Sequence, residues 1–173
     1  RGISSCLIFS FFTFSSLISF GQNSLQNGLV AWYPFDGNAS DMSGNGNHGT
    51  VNGASLSMDR NGQTNKAYKF DGVDDFIDLN NPSILGTTNN FTILAWVNNG
   101  TGTIYGEFNA AAGNTRNYFK ISGNYLGLDQ YFPSGGAVSS LEILELNQTN
   151  SWNQVGYVRE GSNWSFFIHG ELL

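Results

Sequence analysis

Short apolar stretches alternate with clusters of Gly, Asn, Ser and Asp along most of the chain, the pattern of strands joined by tight turns. Residues 29–35 read as a first strand, and Pro34 near its end marks an edge or a bulge. A long turn-rich stretch follows, with a short strand predicted over 50–56. Positions 66–70 alternate, with Tyr68 and Phe70 on one face, and 76–79 resume extended structure after the turn Asp71-Gly72-Val73-Asp74-Asp75. Over 91–97, Phe91, Ile93, Ala95 and Val97 share one face while Leu94 and Trp96 share the other. Two apolar faces predict a central strand covered on both sides. Shorter strands are predicted over 103–108, 117–122 and 124–129, and 141–146 fits either a strand or one helical turn. Residues 152–159 and 164–169 form a hairpin around Glu160-Gly161-Ser162-Asn163. Roughly nine or ten such segments without a helical period predict an all-β fold of two packed sheets. Trp32, Trp96 and Trp152 are expected in its core.

Composition strengthens this picture. Charged residues make up only 12% of the 173 residues and aromatics 14%, which favours β structure over helices. The net charge of −6 excludes a nucleic-acid binder, because nothing neutralises a row of phosphates. Arg1 followed by an apolar run over 7–20 reads as a signal peptide, with Ser19-Phe20-Gly21 setting cleavage before Gln22. That run is too short to span a bilayer, so no membrane span is expected after cleavage. The organisation is therefore a signal over 1–21 and one domain over 22–173. Cys6, the only cysteine, leaves with the signal, so an exported mature chain is expected without disulfides.

One loop stands out chemically. After Trp32-Tyr33-Pro34-Phe35, residues 36–50 consist largely of oxygen-bearing side chains and glycines. Asp41, Ser43 and Asn45 stand at alternating positions before Gly46, as in the first half of a Ca²⁺-binding loop. The closing glutamate of an EF-hand is absent; Asn52 holds that position. The stretch is either another oxygen-rich metal loop or a tight surface turn, since these residues also favour turns on their own account. His48 and His169 read as structural, and the chain carries no Gly-x-Ser-x-Gly elbow, phosphate loop or zinc helix.

Four segments, in order, resemble the concanavalin A-like, LamG-like domains. They are 28–35 with 41–49, Phe70-Asp71-Gly72-Val73-Asp74-Asp75-Phe76-Ile77, Phe91-Thr92-Ile93-Leu94-Ala95-Trp96-Val97, and Trp152-Asn153-Gln154-Val155 leading to Phe166-Phe167-Ile168-His169-Gly170. The resemblance implies an antiparallel jelly-roll sandwich on a secreted or cell-surface protein that binds glycans or other proteins and is braced by a structural Ca²⁺. The compact signal and the lack of disulfides point to bacterial export. Asp41 is then the first metal-ligand candidate, with Ser43, Asn45 and Asn47 beside it and Asp36, Asp74 and Asp75 as weaker ones. Such domains continue into a further strand after the final hairpin, so a C-terminally truncated piece of a longer, multi-domain protein is expected.

Two functions follow from the resemblance. The first is a non-catalytic module recognising a carbohydrate or a surface partner through aromatic rings, with Tyr131, Phe132, Tyr105, Tyr125 and Trp164 as candidates and Tyr131 with Phe132 as the leading pair. The second is part of a secreted glycoside hydrolase, or an adhesin module. Hydrolysis needs two facing carboxylates. The alternating acidic run that would supply them on this fold is absent, leaving Glu107 and Asp129 isolated and Glu142 and Glu145 three apart. No enzymatic activity is therefore expected of this segment.

Overall fold

The computed structural model describes residues 27–80, 84, 90–98, 101–109, 115–122, 125–131, 137–144 and 151–173. These residues form an all-β structure with no helix among them. In chain order the strands are β1 (Thr50–Asn52), β2 (Ser55–Ser57), β3 (Ala67–Lys69), β4 (Phe76–Asp78), β5 (Asn90–Asn98) and β6 (Gly102–Asn109). They continue with β7 (Thr115–Ser122), β8 (Tyr125–Tyr131), β9 (Ala137–Leu144), β10 (Trp152–Glu160), β11 (Asn163–Ile168) and β12 (Glu171–Leu172).

Two four-stranded antiparallel sheets make the body, ordered β12-β11-β10-β5 and β6-β7-β8-β9. Two short pairs, β1–β4 and β2–β3, come from the N-terminal part. The β10–β11 hairpin closes through Gly161 and Ser162, with Glu160 opposite Asn163. Gly161 takes φ +61°, the positive value a two-residue hairpin turn needs so that its twist matches the strands.

Alternation decides what is buried. Phe119, Ile121, Leu126 and Leu128 on one sheet meet Val155, Tyr157 and Phe166 on the other in a single core. Phe119 stacks on Tyr157 with ring centres 5.5 Å apart, and Phe166 lies 5.5 Å from Tyr157 and 6.3 Å from Phe119. Burying each such ring stabilises the fold by roughly 1.5–3 kcal/mol before any gain from ring geometry. The sandwich expected from the sequence is present in this packing.

Several expectations need correction. Residues 29–35 belong to no ladder. Their backbone groups are engaged by side chains of the following loop instead, as described below. The predicted strand over 50–56 is two strands, split at Gly53, whose φ of +77° breaks the extension. Strand β5 is covered on one face only. Phe91, Ile93, Ala95 and Val97 pack on the core, whereas Leu94 is 64% and Trp96 40% exposed. Trp32, also expected inside, is 54% exposed. Apolar side chains on both faces of a strand therefore did not report two covered faces here. Residues 141–144 resolve as strand within β9, and His169 sits in a turn between β11 and β12.

Truncating Phe166 to Ala should lower unfolding stability by about 3–5 kcal/mol, the usual cost of emptying an aromatic site in a core. Leu94→Ala on the exposed face should change it by no more than about 0.5 kcal/mol. Urea unfolding followed by fluorescence measures both, and equal losses would mean the outer face is buried as well.

Candidate functional site

Two groups of side chains attract chemical interest, and the oxygen-rich loop is the first. Asp41 is 4% exposed, and its carboxylate accepts four hydrogen bonds. Oδ1 receives the backbone N–H of Trp32 (2.9 Å) and of Ser43 (2.8 Å). Oδ2 receives the Ser43 hydroxyl (2.8 Å) and the Asn47 N–H (3.0 Å). Burial opposes the charged form, but the donors from Trp32, Ser43 and Asn47 together outweigh it and hold the Asp41 carboxyl down at about 2. The neighbours look the same way. Asn45 Nδ2 donates to the carbonyls of Leu29 (2.7 Å) and Val30 (3.0 Å), and Asn47 Nδ2 donates to Val30 (3.0 Å). His48 Nδ1 accepts the Asp41 N–H at 3.1 Å.

The alternating Asp41, Ser43, Asn45 and Asn47 thus grip residues 29–32 along one side, doing what a neighbouring strand's backbone would do. Met42 adds an ordinary backbone bond from its N–H to the Trp32 carbonyl, 2.8 Å. Tyr33 reaches from this segment to the Asn47 carbonyl, and its phenol is pushed up to about 12 by burial and then by the Asp41 charge. Asp36 pairs with Lys66 on the surface. In this arrangement each Asp41 oxygen already has two donors, which fills the lone pairs a cation would use.

A different carboxylate group comes together at the turn before β4. One oxygen from each of Asp71, Asp74 and Asp75 lies within 4.8 Å of the others. Oxygens that close can share a Ca²⁺, whose ligands sit about 2.3–2.6 Å from the ion. Asp71 was not among the sequence candidates. Its signal was the i, i+3, i+4 spacing of acids around Gly72, where φ is +78°.

The second group lies on the face of the β6-β7-β8-β9 sheet turned away from the core. Phe119 and Leu128 point inward, so their strand neighbours point out. Tyr118 is paired with Asp129, Lys120 with Gly127, and Ser122 with Tyr125. Lys120 and Asp129 form a partly buried ion pair across the two strands. Gly106 stands opposite Tyr118 on β6. A β-carbon added at Gly106 would come within 3.0 Å of the Tyr118 ring, so this ring leans over β6 into the space a side chain would fill. A glycine in mid-strand otherwise weakens a sheet, and a ring laid over it restores the contact. Tyr125 is 37% exposed. Tyr131 pairs with Arg116 in the β7–β8 ladder, and its side chain lies outside the described residues.

The other aromatic candidates fall elsewhere. Tyr105 packs against the core, and its phenol is held well above its ordinary value by burial and then by the Glu107 carboxylate. Trp164 stacks on Tyr157 at 5.6 Å and is covered by Arg159. Phe132 lies outside the described residues. Tyr118 was missed by sequence reasoning, although a glycine one strand earlier was a legible hint. Glu107 is 9% exposed, on the inner face opposite Asn117, whereas Asp129 is on the outer face. These two acids cannot flank one glycosidic bond.

No family model, curated protein or solved structure matches the chain. The LamG-like resemblance therefore stands on the motifs quoted above, and the function rests on the geometry of the two groups.

Asp41→Ala should cost about 3 kcal/mol or more, because it leaves three backbone N–H donors of the loop without their acceptor. The Asp41 carboxyl is lower in the folded state (about 2) than its ordinary 3.8, so its contribution is fully present above 3.8 and disappears as pH falls toward about 2. Urea unfolding of wild type and variant between pH 2 and 6 tests this. The gap between the two should be constant at the upper end and narrow at the acid end.

Proposed function

We propose that the chain is a non-catalytic, secreted or cell-surface module that binds carbohydrate on the outer face of the β6–β9 sheet. The observation that carries this reading is the Tyr118 ring leaning over Gly106 next to the Lys120–Asp129 pair. Sugars present a C–H face and a rim of hydroxyls. An aromatic ring stabilises the first by stacking, and a neighbouring cation and carboxylate serve as donor and acceptor for the second. Tyr125, exposed on the same face, adds a second ring. The alternative of a glycoside hydrolase has less support, since Glu107 and Asp129 point to opposite faces.

A glycan array probed with the full chain tests the reading. Wild type should retain at least one glycan that Tyr118→Ala loses, with Tyr118→Phe restoring it. No retained glycan, or one held equally by Tyr118→Ala, would sink the assignment.

Calcium belongs with this reading as a structural brace, and the acids that support it best are Asp71, Asp74 and Asp75. Thermal melts in millimolar Ca²⁺ and in EDTA should differ, because an ion bound only by the folded state raises its stability. The shift should vanish in Asp74→Ala. A shift insensitive to Asp74 but lost in Ser43→Ala would return the ion to the Asp41 loop, and identical melts would remove calcium altogether.

A further inference from the structure

We propose that β5 is a self-association edge, along which two copies of this chain join antiparallel about a two-fold axis centred on Leu94. The edge belongs to the other sheet from the carbohydrate face and does not rest on that reading. Among the described residues β5 has β10 on one side and no strand on the other. No backbone hydrogen bond joins 91–97 to anything but β10 among them, and Arg60 meets this strand at the outward Trp96 ring. The inward side chains show the consequence. Phe91, Ile93, Ala95 and Val97 touch the core yet stay partly exposed, whereas Val155 and Tyr157 on β10 are at most 1% exposed.

An open edge recruits another strand unless something guards it, such as a short length, a charge or a bulge. The other three edges of the two body sheets carry such guards. Strand β12 is two residues long and includes Glu171. Strand β6 is irregular between Thr103 and Tyr105 and includes Glu107, and β9 includes Glu142 and meets a register shift on β8. Strand β5 runs nine residues with no charge, proline, glycine or break in register. A second β5 suits it. Pairing centred on Leu94 sets Phe91 against Val97 of the second copy, Ile93 against Ala95, Thr92 against Trp96, and Leu94 against Leu94. Each pair falls on one face, so the core-side row continues, larger residues meet smaller ones, and no charges oppose. The contact is a strip about 30 Å long and about 10 Å deep, which places it at the weak end of specific interfaces. Both open edges are then used, so a two-fold pair closes on itself instead of growing.

Sedimentation equilibrium of the full chain tests the proposal between about 1 µM and about 1 mM, the range in which weak interfaces dissociate. The mass should rise from one copy toward two and stop there. Leu94 is 64% exposed in the single copy, so Leu94→Lys and Leu94→Glu should both fold. Each alone should stay monomeric at the upper concentration, and an equal mixture should dimerise, because like or opposite charges then meet at the axis. Hydrogen exchange of the wild type needs no variant, and amides within 91–97 should exchange more slowly at the upper concentration than at the lower. One copy at every concentration, a dimer indifferent to Leu94→Lys, or a mixture that stays monomeric overturns the proposal. So does a dimer with unchanged exchange over 91–97, which would mean stacking of the outer faces, since stacking adds no backbone hydrogen bonds.

Discussion

The contact between Phe119, Tyr157 and Phe166 is what the rest of the molecule depends on, because it is where the two four-stranded sheets become one body. A lone sheet of four strands has no way to remove one apolar face from water; two such faces together do. The three rings are at most 1% exposed. The arrangement also buries the Tyr157 hydroxyl without a hydrogen-bond partner among the described residues. Burial drives that phenol's ionisation well above its ordinary range, against the nearby Arg159 charge. The aromatic packing must outweigh the loss of that hydroxyl's water.

Once the inner faces are committed, the outer faces are left with different chemistry. On β5, β10 and β11 the outward positions include Leu94, Val158 and Phe167 around Gly156, an apolar surface with little to orient a ligand. Arg60, at the tip of the β2–β3 hairpin, covers the Trp96 ring at 4.4 Å and closes one side of it. On β7 and β8 the outward positions alternate aromatic, charged and small. Neighbouring strands there are locked by a full antiparallel ladder, so a ligand of the kind proposed would meet a framework already ordered. That pre-ordering lowers the entropy lost on binding.

The N-terminal segment shows a different solution to the same backbone problem. Extended chain outside a ladder leaves N–H and C=O groups needing partners. Here the partners on one side are the Asp41 carboxylate and the Asn45 and Asn47 amides. Alternating oxygen-bearing residues can turn their groups onto a cation or onto a neighbouring backbone, and the linear pattern is the same in both cases. Sequence alone left metal loop and tight turn open for this reason. The turn at Asp71, by contrast, gathers three carboxylates, of which Asp71 accepts the N–H groups of Val73 and Asp74 and Asp75 accepts that of Asp71.

Much of the architecture was legible because it follows from local periodicity. The alternation over 91–97, the turn at Glu160-Gly161-Ser162-Asn163 and the scarcity of charge together determined an all-β chain of paired strands, and they put Phe91, Ile93, Ala95 and Val97 on one face. Which apolar face would be covered was not legible. Leu94 and Trp96 carry the same side chains whether or not a layer lies above them, and only the packing of one sheet on another chose the Phe91 side. Nor could the chain order reveal that Tyr118 leans over Gly106 or that Lys120 meets Asp129, since each pair joins residues from different strands. Periodicity acts between near neighbours along the chain; register and the choice of face arise from contacts between distant segments, and those belong to the tertiary structure.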